Sequence, residues 1–316
     1  MIPDTLPLVY FGKLPCRGDF VRSRSHMSDI NVIDQWVSQA LSESADEMDT
    51  SLALHFSHVD TAENKIMTGV LISSYDSGNR QYPFIGFGLM HLNKPKAWMQ
   101  YLPIKSAGMW HDIHQTLDQA RSKVDNTQIT ETLNQSFVSI DHNASTHYYD
   151  FINSTTLQEG AMMIDIDKAS LIEQIIATGL LFLPTFTKGF HGLNKAIYWS
   201  LPDNKTQAIY FASFWHDLIH GFYAPHQLYF NSYFYWRDGH YHLLMSFSKP
   251  AATTLMQILT GTSTKHESWV NIADSSWTQQ FIDDDIGLTR FHNILLQDDA
   301  YLYDVRQLFK TIFLAK

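Results

Sequence analysis

The chain has a single cysteine, Cys16, among 316 residues. An intrachain disulfide is therefore excluded, and the composition suits a reducing compartment. Charge is also scarce: 17% of residues are Asp, Glu, Lys or Arg, and the acids outnumber the bases for a net charge of -10 with histidines neutral. A basic stripe able to displace counterions is missing, which argues against a nucleic-acid partner. The same deficit argues against docking on anionic lipid. No run approaches the ~20 consecutive apolar residues of a membrane span, so no membrane insertion is expected. The start, Met1 to Pro7, has no basic segment leading into an apolar one, and no signal peptide is expected. A cytoplasmic location follows as the expectation.

Signatures of several enzyme classes are missing too. There is no P-loop, no nucleophile elbow and no dinucleotide-binding fingerprint. Gly86-Phe87-Gly88 stands alone on a strand-like segment without a third glycine. Asp283-Asp284-Asp285 lacks the spaced oxygen ligands of a calcium loop. Histidine, by contrast, is plentiful at 16 copies. His216 and His220 are four apart in a helical segment, the spacing that puts two zinc ligands on one face. Asp217 stands beside His216 where zincin proteases carry glutamate, and no third ligand follows from spacing. A metal-dependent hydrolase built on this pair is thus a competing reading to an amphipathic helix packing through Trp215 and Ile219. His111 with His114, and His240 with His242, are weaker pairs of the same kind. Cys16 lies between Pro15 and Arg17 without a base nearby in sequence.

What remains is an apolar, aromatic chain: 45% hydrophobic and 14% aromatic residues can fill a sizeable core. Helices are expected from Ser28 or Asp29 to about Met48, over Pro95 to Leu102 and Ala107 to Val124, over Lys168 to Leu181, and over Asp298 to Leu314. Strands are expected over Ser51 to Val59, Lys65 to Tyr75 and Gln81 to Met90, with Asp76-Ser77-Gly78-Asn79 as the turn between the last two. Residues 125–147 are polar and read as a linker or mobile segment.

Two aromatic hairpins are expected in the C-terminal half. Lys195 to Trp199 pairs with Ala208 to Ala212 in the first, and Tyr233 to Trp236 with Tyr241 to Met245 in the second. Each is followed by a helix, Trp215 to His220 and Ala251 to Leu259. The fold class is α+β, a mainly antiparallel sheet with flanking helices. The expected divisions are 1–125, 126–224 and 225–316.

Two segments carry a family likeness. Gly12-Lys13-Leu14-Pro15-Cys16-Arg17-Gly18-Asp19-Phe20 is followed by a helix with Trp36. Further on come Gly69-Val70-Leu71, Ser74, Asp76, Arg80 and Tyr82-Pro83. In this order they resemble the TagF (ImpM) family of type VI secretion-associated proteins. Ser73 and Asn79 stand where the family usually has proline and glycine, and Ile197-Tyr198-Trp199 matches a later family strand only loosely. The resemblance implies a cytoplasmic, non-enzymatic repressor of type VI secretion that acts after translation. It implies as partner the forkhead-associated scaffold protein of the apparatus, and no cofactor. A structural accessory component of the apparatus is the third reading. A lattice of Arg17, Asp19, Asp76 and Arg80, with Lys13 beside it, is expected to join the first loop to the hairpin turn. This lattice either fixes the loops or presents Phe20 as an anchor for a partner.

Overall fold

In the computed structural model the described residues are 3–43, 48–123, 128–190, 193, 195–261, 269–297 and 299–314. The strands are β1 Thr5–Pro7, β2 Val9–Gly12, β3 Val21–Arg22, β4 Ala53–Asp60, β5 Lys65–Ile72, β6 Phe84–His91, β7 Phe137–Ser139, β8 Ala196–Leu201, β9 Tyr229–Arg237, β10 His240–Ser246 and β11 Trp269–Asn271. The first seven helices are α1 Met27–Glu43, α2 Pro95–Met99, α3 Leu102–Ser122, α4 Ile129–Asn134, α5 Ala144–Ser154, α6 Leu157–Met163 and α7 Lys168–Phe182. They are followed by α8 Thr185–Lys188, α9 Lys205–Tyr223, α10 Ala252–Thr260, α11 Thr278–Asp284, α12 Ile286–Gln297 and α13 Leu302–Phe313.

Nine strands form one sheet in the order β11-β8-β10-β9-β4-β5-β6-β2-β3. Every ladder in it is antiparallel except β11 on β8. The fold is therefore α+β, with helices on both faces of the sheet. The central β5, Lys65-Ile66-Met67-Thr68-Gly69-Val70-Leu71-Ile72, is buried along almost its whole length. Its near-continuous apolar run fits a strand covered on both sides. In β4, Leu54 and Phe56 face one helical layer, while His55 and Ser57 alternate to the other.

One layer is the pair α1 and α10. Ile30, Ile33, Trp36, Val37 and Ala40 of α1 meet Leu255 and Ile258 of α10 in one apolar cluster. Trp36 Nε1 donates to Ala251 O at 3.2 Å where α10 begins. The other layer is thicker and includes α3, α5, α7, α9 and α13. Met109 and Ile113 of α3 approach the sheet closely at Gly88 and Gly86, where a Cβ would lie 2.9 Å and 2.8 Å from their side chains. Trp110 Nε1 donates to Thr68 Oγ1 at 3.0 Å, satisfying a buried polar pair under α3.

β9 and β10 form the second expected hairpin, turning through Asp238 and Gly239 at φ +52° and +87°. Two positive φ values in an Asp-Gly pair match a turn whose twist suits the flanking strands. β9 also pairs with β4, Leu54 opposite Tyr235 and Phe56 opposite Tyr233. Residues beyond 225 are thus built into the same sheet as the N-terminal strands.

Two expectations are corrected. Ala208 to Ala212 is not the second strand of a hairpin but part of α9. β8 pairs instead with β10 and β11. Asn204 caps the helix by accepting from the N–H groups of Thr206 and Gln207 at 3.0 and 3.2 Å. The run Ala208-Ile209-Tyr210-Phe211-Ala212 is apolar because much of that helix is buried. A short apolar run alone does not separate the two conformations.

The described part of 125–147 is not a linker. Ile129, Leu133, Val138 and Ile140 are buried, and β7 pairs with β1, Leu6 opposite Val138. Residues 124–127, like 44–47 in the acidic stretch after α1, lie outside the described residues. One helical stretch, Lys168–Lys188, is long and apolar enough by length and composition to cross a membrane. Of its apolar window 56% is buried inside the protein, with Ile172, Ile175 and Ile176 in the core.

Candidate functional site: a loop corner at the sheet edge

The loop after β2 and the loop between β5 and β6 meet at the end of the sheet. Asp76 organises the corner. Its side chain has no accessible surface, covered by its own turn and two cations. Oδ1 accepts the backbone N–H groups of Gly78 at 2.9 Å and Arg80 at 3.0 Å. Oδ2 takes Arg80 Nε at 2.8 Å and Lys13 Nζ at 3.1 Å. Desolvation opposes the charged carboxylate. The Arg80 N–H, Lys13, the Gly78 N–H and the Arg80 charge outweigh it and hold the group at about 2.

The two loops are also tied by main chain. Ser77 N donates to Arg17 O at 2.8 Å, Ser74 Oγ to Lys13 O at 2.7 Å, and Arg80 Nη2 to Gly18 O at 2.8 Å. Lys13, Arg17, Asp76 and Arg80 therefore come together. Arg17 enters the junction through its carbonyl. Asp19 serves its own loop: its Oδ1 accepts Phe20 N–H at 2.8 Å, and the exposed carboxylate does not bridge to the hairpin turn.

Phe20 is 40% exposed, yet it is held. Its ring stacks on Phe11 at 5.2 Å with a 2° interplanar angle and meets the Tyr82 ring edge-on at 4.9 Å. Lys13 Nζ lies 5.3 Å from its centroid. Tyr82 is fixed in turn, its hydroxyl donating to Asp34 Oδ1 at 2.8 Å. Sequence reasoning missed Phe11 and Tyr82 as the cradle of Phe20. The aromatic-Pro pair Tyr82-Pro83 marked one half of it, but the partner ring lies one strand away. Beside the corner runs an open cleft of about 620 Å³ lined by Pro15, Tyr75, Gln81, Asp118 and Arg121. Arg121 is spent on Ser73 O at 2.9 Å and Asp118 at 2.8 Å.

The histidine pairs do something else. His216 is fully buried, with Nδ1 3.1 Å from Met99 O and Nε2 3.1 Å from Ser232 Oγ. Burial pushes its pKa down to about 3. Both ring nitrogens are thereby engaged with protein groups, and His220 packs edge-on against Tyr223. Asp217, between them, belongs to a buried network with Tyr148, Gln100, Arg306 and Lys310. His114 pairs with Asp118, and His242 sits between Tyr198 and Arg237 O. Among the described residues no group of three or more His, Cys, Asp or Glu is placed to hold one metal ion. Cys16 is half-buried and packs against the apolar core.

The geometry defines an α+β protein with a charge-pinned aromatic corner built from its N-terminal loops. Residues 9–136 match the family model of the TagF N-terminal domain, described as type VI secretion system-associated. The match covers the N-terminal part of the chain, and residues 137–316 lie outside it. Similar solved structures include the crystal structure of PA0076 from Pseudomonas aeruginosa PAO1, at 22% identity and a TM-score of 0.34. That alignment covers 40% of this chain and 60% of that one. No curated protein matches the chain.

Proposed function

We propose that this protein is a non-enzymatic negative regulator of type VI secretion. It acts in the cytoplasm by holding the forkhead-associated scaffold protein of the apparatus, and Phe20 with its surrounding charges is the contact. The observation that carries the reading is the way Phe20 is held. An aromatic ring left 40% exposed is stacked, edge-packed and overlaid by a cation, so little side-chain freedom is lost when a partner covers it. The hydrolase reading built on His216 and His220 is disfavoured by the engagement of both His216 nitrogens inside the core.

The test is capture of the scaffold protein by purified wild type, Phe20→Ala and Arg17→Ala. Capture by wild type and loss in folded Phe20→Ala, with rising secretion in cells carrying the variant, supports the regulator. Equal capture by both variants overturns the corner as the contact. Stoichiometric zinc in the purified protein would revive the hydrolase.

A further inference from the structure

The segment after Phe20 has an exposure pattern that the corner does not use. Phe20, Arg22 and Arg24 are exposed, while Val21 and Ser23 between them are buried. This is the period-two alternation of an extended strand with one face turned outward. Ser23 N donates to Tyr10 O at 2.9 Å, and Tyr10 N donates to Ser23 Oγ at 2.9 Å, so Ser23 faces β2. Arg22, opposite Phe11, is the intervening residue, and its own N–H and C=O are directed away from β2. β3 is the last strand of the sheet, with no further strand beyond it among the described residues.

The charge here runs against the rest of the molecule. In a chain of net charge -10, four of the eight arginines, Arg17, Arg22, Arg24 and Arg80, lie in this corner. Nearby carboxylates are already engaged. Asp76 is held by Lys13 and Arg80, Asp29 by Lys65 and His26, Asp34 by Tyr82 and Ser38, and Asp19 by the Phe20 N–H. Among the described residues neither Arg22 nor Arg24 has a side-chain hydrogen bond or ion pair. Two guanidinium forks without carboxylate partners thus stand in a row with a held aromatic ring.

We propose that Phe20, Arg22 and Arg24 dock an extended acidic segment of a partner protein. This rests on the protein-contact reading above and names the chemistry of the contact. Same-face side chains of an extended chain repeat roughly every 7 Å on both partners. Carboxylates at alternate positions therefore meet both guanidinium forks in register, in the geometry that suits two-pronged arginine–carboxylate bonds. An apolar residue at the next alternate position covers Phe20. The outward N–H and C=O of Arg22 add main-chain bonds that only an extended partner can use.

The experiment uses the full chain and a fluorescent peptide alternating glutamate and threonine, ending in leucine, followed by anisotropy. The expected result is binding that weakens roughly tenfold or more in Arg22→Glu/Arg24→Glu and when salt is raised to about 0.5 M. The lysine-for-glutamate peptide should not bind, and Arg22→Lys/Arg24→Lys should keep part of the affinity. Both sites are exposed, and circular dichroism checks that the variants remain folded. No binding by wild type, equal binding by the glutamate variant, or a preference for anionic vesicles or an oligonucleotide over the peptide would overturn the proposal. The arginines would then serve only to discourage pairing at the sheet edge.

Capture of the forkhead-associated scaffold is measured in parallel. Capture that survives in the glutamate variant and is lost in Phe20→Ala sinks this inference and spares the regulator. Arginine-dependent peptide binding without scaffold capture by wild type does the reverse.

Discussion

Lys13 Nζ lies 3.1 Å from Asp76 Oδ2, and this ion pair joins the loop after β2 to the turn between β5 and β6. The carboxyl of Asp76 is held at about 2, below the ordinary aspartate value of roughly 3.9. A depressed folded-state pKa adds stability that is present above the unfolded value and lost as pH falls through the folded one. The window is therefore roughly pH 4 down to 2. Asp76→Asn should be less stable than wild type at neutral pH, and the gap between the two should narrow as pH falls through that window. Urea denaturation of both proteins across this range checks it; a constant gap would show that the ionised carboxylate is not what ties the loops.

Gly12 ends β2 at φ +137°, and a Cβ there would lie 2.1 Å from Pro83 O, a backbone atom that cannot swing aside. Strain and clash act together, so Gly12→Ala should cost more than about 3 kcal/mol and give largely insoluble protein. Gly239, at φ +87° with nothing within 4 Å, is the control. Gly239→Asn keeps a residue tolerated in that conformation and should cost no more than about 1 kcal/mol. Soluble yield and thermal midpoints of the two variants separate close contact from conformation alone.

His55 of β4 and His216 of α9 are buried between the sheet and its helices, and burial lowers each to about 3. Here the neutral form is favoured by folding. Stability is complete above the unfolded value of about 6.5 and declines as pH falls toward the folded one. Each histidine should cost about 2 kcal/mol at pH 5 relative to pH 7. Wild type should therefore lose stability between pH 7 and 5, before the carboxylates titrate. His216→Gln should remove part of that slope. Added zinc should leave the thermal midpoint unchanged, because both His216 nitrogens are committed; a zinc-dependent rise would contradict that assignment.

The elements that the sequence made legible are those whose pattern is local. α1, α3 and α7 show their apolar stripes, β4 to β6 alternate or run apolar between turn residues, and Asp238-Gly239 announces the β9–β10 turn. The Lys13–Asp76–Arg80 corner was visible because its loops set opposite charges among glycine, proline and aromatic residues. What was hidden depends on partners distant in the chain. Ala208 to Ala212 reads as a strand because a helix buried on many sides loses its polar face, and only the Asn204 cap distinguishes it. Val138 looks like part of a polar linker until Leu6, far earlier in the chain, supplies the strand beside it. Asp19 carries the same charge as Asp76, but the two differ in where their loops turn, which composition does not reveal.

Asp217 and Arg306 form a second such hidden pair, and their energetics yield the last prediction. Asp217 in α9 is fully buried and Arg306 in α13 nearly so, the guanidinium Nε donating to Asp217 Oδ2. Tyr148 of α5 donates to the same oxygen at 2.9 Å, and Gln100 after α2 donates to Oδ1 at 2.8 Å. Four parts of the chain thus meet on one carboxylate. Removing the cation leaves a buried negative charge with only neutral donors and the distant Lys310 at 3.6 Å. Arg306→Ala should therefore cost roughly 3–5 kcal/mol. Asp217→Asn combined with Arg306→Met removes the uncompensated charge and should recover a good part of that loss, since an isolated buried charge is worse than none. Urea denaturation monitored at more than one wavelength reads both quantities. Coincident transitions would mean that α13 unfolds together with the N-terminal strands. A double variant no better than Arg306→Ala would place the loss in packing of the arginine stem instead of in its charge.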